Sequence, residues 1–204
     1  MGLAARVPPD PGLVDHVVVL HGVTWAEYEA VLAMRGERSV PRITYCEGRL
    51  ELMTPSRWHE LGKKALARLI EAWSEEAGIV LEGIGSWTLK QEEEERGAEP
   101  DECYFVASPG RDLSALERPD FAIEVVWTRG AIDKLEVYRR LGVREVWIWE
   151  KGALSFHVLR GEAWERSERS ELLPSLDPAL IADAMTAETQ SDAVRKLRAA
   201  MRAR

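Results

Sequence analysis

The most constraining stretch of the chain is Phe121 to Trp127, FAIEVVW. Every residue but one is apolar, which is the composition of a strand buried on both faces. The exception is Glu124. A carboxylate in such a strand is costly unless a cation or a hydrogen-bond donor meets it. The segment after the strand reads as a helix from Ala131 to Leu141, stopped by Gly142, and then a second apolar strand from Glu145 to Glu150. Before it, Glu102 to Ala107 reads as a strand opened by Pro100-Asp101. Proline fits at a first strand residue, where no ladder hydrogen bond is lost. The run from Glu99 to Glu150 is therefore strand, loop, strand, helix, strand, with one carboxylate at the start of the first strand and another inside the second.

Asp101 and Glu124 come from different strands and can lie at ordinary inter-strand distance. Asp120 is a competitor, since Pro119-Asp120 repeats the Pro-Asp pair. It lies four residues from Glu124 on the same strand, about 13 Å along an extended chain, too far to share one metal ion. Asp101 is the better partner. Plainer roles exist for each residue: a salt bridge for Glu124, a turn for Asp101, an exposed helix position for Lys134, a cap or packing contact for His59.

Around this run the reading is α/β. Residues 1–15 hold three prolines and read as a flexible arm. Val17 to Leu20 reads as a short strand. Thr24 opens a helix, with Glu27 completing a capping box. Arg42 to Thr54 reads as a hairpin turning at Glu47-Gly48. Ser56 caps a helix from Arg57 to Ala77 whose apolar residues repeat at three and four. Ile79 to Lys90 reads as one strand with a bend at Gly83 and Gly85, and the glutamate-rich run after it as a solvated loop. Leu154–Leu159 and Ala163–Glu168 read as another hairpin. Ala193, Val194, Leu197, Ala200 and Met201 form an apolar stripe beside basic residues, which predicts an amphipathic C-terminal helix over 191–204, docked on the body or on a partner subunit. The domain organisation expected is thus an arm, one domain over 16–190, and that helix.

Totals exclude little. At 204 residues and 46% hydrophobic content the chain suits one globular domain. No apolar run reaches the ~20 residues of a membrane helix, and the first residues lack the order of a signal peptide. The expectation is a cytoplasmic protein, with Cys46 and Cys103 as buried thiols. A net charge of −8 weighs against a protein that coats nucleic acid, though an enzyme with a local basic rim stays open. Neither a Cys/His cluster, a phosphate-binding glycine loop nor a G-x-S-x-G elbow is present.

The ordered set EGRLELMTPSRWHE, EPDECYFV, PDFAIEVVWT and DKLEVYRRLGVREVWIWE resembles the Uma2 family, also called DUF820, within the PD-(D/E)xK nuclease superfamily. The resemblance covers roughly Tyr45 to Leu180. It implies a restriction-endonuclease-like core, a central mixed β-sheet flanked by helices, here with an added N-terminal helix and hairpins. It implies a Mg²⁺-dependent DNA endonuclease, with Mn²⁺ as an alternative ion. Asp101 and Glu124 match its metal ligands, and the backbone carbonyl of Val125 completes the set. The superfamily lysine two residues after the acid is Val126 here. Uma2-like sequences instead place a lysine on the following helix, which is Lys134, with Tyr138 one turn later. His59 matches the histidine at the start of the first core helix. The electropositive end of that helix favours a neutral imidazole, suited to donate or accept a proton. The competing reading is a non-catalytic protein of the same fold that binds DNA or a protein partner; Val126 and the acidic charge favour it. A homodimer is expected from the last helix and from the pairing habit of duplex-cutting nucleases.

Overall fold

The computed structural model describes residues 14–107, 112, 115, 117–128 and 130–203. Its elements are β1 (His16–His21), α1 (Trp25–Arg35), β2 (Arg42–Cys46), β3 (Arg49–Thr54), α2 (Arg57–Ala77), β4 (Leu81–Gly83), β5 (Leu89–Gln91), β6 (Arg96–Ala98), β7 (Glu102–Val106) and β8 (Phe121–Val126). These are followed by α3 (Lys134–Arg140), β9 (Glu145–Glu150), β10 (Ala153–Arg160), β11 (Ala163–Ser167), α4 (Pro178–Ala184) and α5 (Gln190–Arg202). The first 13 residues of the expected arm lie outside the described residues.

The strands form two sheets. One has six strands in the order β11-β10-β9-β8-β7-β4 and is mixed, because β8 and β9 run parallel while their neighbours run antiparallel. The parallel pair follows from the sequence, since α3 intervenes and parallel strands need a crossover. The other sheet has five antiparallel strands in the order β1-β3-β2-β6-β5. The expected single strand over 79–90 is in fact split between them. β4 pairs with β7 and β5 with β6, and the chain changes sheet across 84–88, where Gly85 takes φ 73°. The glutamate-rich segment contains the strand β6, whose Arg96 is buried and paired with Glu47 at 2.9 Å.

Side-chain alternation along β8 divides the core. Phe121, Ile123 and Val125 face α2, α4 and α5. Ala122 faces α3 and the five-stranded sheet. Glu124 shares the face of Ala122, as period two requires. On the first face Tyr104, Phe121, Trp147 and Phe156 form an aromatic ladder across β7, β8, β9 and β10, with ring centroids 5.2, 4.4 and 5.0 Å apart. Contacts of this kind pin sheet register.

The local signals behave as chemistry predicts. Thr24 and Glu27 form the capping box of α1. Glu47 and Gly48 both have positive φ, 46° and 78°, as the tight turn of a two-residue hairpin demands. Gly78 ends α2 in the left-handed region. Cys46 and Cys103 are buried and free. Among the described residues no helix is long and apolar enough to cross a membrane.

The C-terminal helix differs from one expectation. Ala193 and Leu197 are buried in the core beside α2 and α4, with Val194 and Met201 packed against it. Arg198 and Arg202 reach Glu75 and Glu76 on α2. The apolar stripe is thus consumed within the chain, and it no longer argues for a homodimer.

Candidate functional site

β7 and β8 pair antiparallel with Glu102 opposite Ile123, so Asp101 comes level with Glu124. Both are buried: Asp101 is 0% and Glu124 5% exposed. The two carboxylates are held differently. Asp101 Oδ1 accepts from His59 Nε2 at 2.9 Å and forms an ion pair with Arg42 Nη1 at 2.7 Å. Its Oδ2 accepts from the backbone N–H of Val125 at 2.7 Å. Glu124 Oε2 accepts from Lys134 Nζ at 2.7 Å, and its Oε1 accepts from the Tyr138 hydroxyl.

The fold explains these meetings. Lys134 and Tyr138 are one turn apart on α3, so both reach back to the strand that precedes their helix. Asp133 caps α3 by accepting from Leu135 N–H at 3.0 Å, which fixes where Lys134 begins. Glu51 on β3 accepts from the N–H groups of Ala131 and Ile132 at 2.6 and 3.2 Å and so clamps the approach to that helix. A side chain at Gly130 would collide with that carboxylate, its Cβ falling 2.6 Å from Glu51 Oε1. Asp120, the competitor, accepts from Val106 N–H at 2.9 Å, four residues up the strand from Glu124.

His59 is the third residue of α2 and is buried. Its Nδ1 meets Asp15 Oδ2 at 3.1 Å while its Nε2 meets Asp101. Asp15 also accepts from Ser56 N–H at 2.6 Å. The expected neutral imidazole is overturned. Burial opposes protonation, but Asp101 and Asp15 outweigh it and raise the pKa from 6.5 to about 9. His59 is an imidazolium at neutral pH and holds Asp101 rather than accepting a proton. Because the folded value lies above the unfolded one, its stabilisation is complete below pH 6.5 and is lost as pH rises through about 9. Urea denaturation in EDTA should show stability falling by on the order of 3 kcal/mol across that window. His59→Gln should flatten that slope; an equal slope in both proteins would refute the assignment.

Electrostatics separates the two carboxylates. Burial pushes Asp101 up, but the charges of His59, Arg42 and Lys134 more than offset it and hold it well below the usual range. Glu124 is pushed up, by burial and by Asp101, against the pull of Lys134. Lys134 is held protonated, since Glu124 and Asp101 outweigh its burial. Burial and Glu124 keep the Tyr138 phenol protonated.

Glu124, Val125, Val126, Lys134 and His59 line one cavity of about 610 Å³. Among the described residues no group of three or more His, Cys, Asp or Glu side chains is arranged to hold a metal. Asp101 and Glu124 nevertheless suit a hard cation. An ionised carboxylate offers about four lone-pair sites, of which hydrogen bonds take two at Asp101, beside its ion pair with Arg42, and two at Glu124. Mg²⁺ accepts one or two carboxylates and fills its remaining positions with carbonyl oxygen, water and phosphate. The ordered carboxylates, the helix-borne lysine and the histidine at the head of α2 are arranged in one place by this fold.

The profile of the Uma2 family, described as "Putative restriction endonuclease", matches residues 25–190. The chain belongs to the Uma2 family. No curated protein matches it. A crystal structure of "a putative nuclease belonging to DUF820" from Anabaena variabilis aligns with 13% identity and a TM-score of 0.47, over 81% of this chain and 96% of that one.

In this Uma2 protein the sequence missed three members of the cluster. Arg42, Asp15 and Glu51 lie far from Asp101 along the chain, and nothing local marks Asp15 or Glu51. Arg42 carried the faint signal of a charged residue opening an otherwise buried strand, β2.

Proposed function

We propose that this Uma2 protein is a Mg²⁺-dependent DNA endonuclease that hydrolyses phosphodiester bonds at the Asp101–Glu124–Lys134 cluster. The observation that carries the reading is the ammonium of Lys134 lying 2.7 Å from Glu124 in a cavity wall, although Val126 occupies the usual lysine position. Asp101, Glu124 and the Val125 carbonyl would hold the ion. Once bound, it supplies polarisation of the scissile phosphate and activation of water. Lys134 orients the attacking water and offsets negative charge developing on the phosphorane. Tyr138 fixes the Glu124 carboxylate, and His59 with Arg42 fixes Asp101.

The second reading, a non-catalytic protein that binds DNA or a protein partner, has its own support. Arg42, His59 and Lys134 already bring three positive charges to two carboxylates, so an incoming cation must compete with them. Two measurements decide. Calorimetry with Mg²⁺ and Mn²⁺ should show weak binding to wild type and much less to Asp101→Asn. Assays on supercoiled and linear DNA should show cutting that stops in EDTA. Equal binding by both proteins removes Asp101 from the ligand set, and absence of cutting on both substrates transfers the weight to the second reading.

A further inference from the structure

The cavity does not end at Glu124. Its floor is one face of the six-stranded sheet, and the register maps it. Glu124 stands opposite Ile148, and Ile148 opposite Ser155. Two residues along, Ala122 stands opposite Val146, Val146 opposite His157, and His157 opposite Arg166. Ser155, His157 and Arg166 line the same cavity as Glu124 and Lys134.

The far end differs in charge from the near end. Acidic groups along the cavity are mostly committed: Glu51 to Ala131 and Ile132, Glu124 to Lys134 and Tyr138, Asp133 to the cap of α3. Arg166 is exposed and forms no ion pair with a described residue. The neighbouring Arg160, by contrast, pairs with Glu165 and Glu171. An unpaired guanidinium on a cavity wall, beside an imidazole and a hydroxyl, has the donor set that phosphate oxygens take.

We propose that Arg166, His157 and Ser155 form a subsite for the phosphodiester backbone of a nucleic-acid strand, lying beyond the bond that is cut. The proposal rests on the endonuclease reading for the position of that bond. At ~4.8 Å per strand and ~3.3 Å per residue, Ser155 lies roughly 10 Å from Glu124 and Arg166 roughly 16 Å. With an axial rise of ~3.4 Å per nucleotide, that places the contacts roughly three to five nucleotides along a stacked strand. His157 is half-buried, and burial with the Arg166 charge lowers its pKa against the opposing pull of Asp133. It is therefore a neutral hydrogen-bonding group, and Arg166 supplies the charge. Contacts to phosphate position a strand without reading its sequence, so the subsite sets register at the carboxylates rather than base preference.

The test reads binding without metal or cleavage. Anisotropy of a short labelled oligodeoxynucleotide, as single strand and as duplex, is followed in EDTA over a salt series, with the full chain. Arg166→Gln should weaken binding about tenfold and lower the slope of log K against log salt by about one. His157→Gln should weaken it less. Arg166 is exposed on the edge strand β11, so Arg166→Gln should keep the wild-type melting curve. Unchanged affinity and slope in Arg166→Gln overturn the subsite, as does wild type that binds neither probe. Wild type that binds through Arg166 yet cuts nothing removes the endonuclease reading and leaves the subsite standing. Wild type that cuts, with Arg166→Gln unchanged in binding and KM, does the reverse.

Discussion

Lys134→Ala is expected to lower Mg²⁺-dependent DNA cleavage by about 10²-fold or more, the range for losing one positioned catalytic group. The reason is geometric. Val126 shares the Glu124 face of β8 and stands where an ammonium would point at the attacking water. Lys134 brings the missing charge from α3 to within 2.7 Å of Glu124. Metal affinity should hold or rise in the variant, because the ammonium competing for Glu124 Oε2 is gone. That combination, slower cutting without weaker metal binding, separates a catalytic lysine from a structural one. Val126→Lys combined with Lys134→Ala should restore part of the activity, since the strand position feeds the same cavity. Rates of supercoiled DNA nicking and calorimetric titration of Mn²⁺ check both halves. Cutting by Lys134→Ala at the wild-type rate would remove Lys134 from the chemistry.

Why the sequence announced Lys134 but not Arg42 has a physical answer. β8 is buried on both faces, so Glu124 needs a partner, and the helix that follows this strand opens on a lysine. That is a local argument, and the βαβ unit carries it. Arg42 meets Asp101 only because β2 and β7, in different sheets, are brought together by tertiary packing. Asp15 is an extreme case: it sits at the end of a proline-rich segment and looks like solvent-facing chain, yet it is buried against His59. Sequence patterns report periodicity and capping, and long-range charge pairing leaves no trace in either.

The same limit explains the errors. β6 is three residues long, and its strand character comes from pairing with β2 and β5 rather than from composition. The split of 79–90 follows from which sheet each half meets. For His59, the helix-end effect was sound in sign but small, about 0.3–1 kcal/mol at exposed sites. Two carboxylates at 2.9 and 3.1 Å in a buried site outweigh it. Where capping boxes, tight turns and two-sided burial decide the outcome, as at Thr24, Glu47-Gly48 and β8, the sequence was enough.

The largest effect on stability is expected at Asp101. Asp101→Ala should destabilise the protein by about 3–5 kcal/mol, the usual cost of leaving one half of a buried ion pair uncompensated. Three groups lose their partner together: the donors His59 Nε2 and Val125 N–H, and the Arg42 guanidinium ion-paired with the carboxylate. Arg42 is 4% exposed and cannot turn to water. It keeps only Glu60 at 3.2 Å and the Pro100 carbonyl at 3.0 Å. Against a typical domain stability of about 5–15 kcal/mol, such a loss should be plain in a urea midpoint with unchanged m-value. Its pH dependence carries a sign. The Asp101 carboxyl is held below its ordinary 3.8, so its contribution is present above 3.8 and is lost as pH falls through the depressed value. The gap between wild type and Asp101→Ala should therefore narrow in acid. Arg42→Met added to Asp101→Ala should recover part of the loss, because an apolar chain of similar length no longer strands a charge in the core. If Asp101→Ala alone unfolds at the wild-type midpoint, the carboxylate is not bearing the charges placed around it. The cluster would then hold together through Glu124, Lys134 and Tyr138 alone.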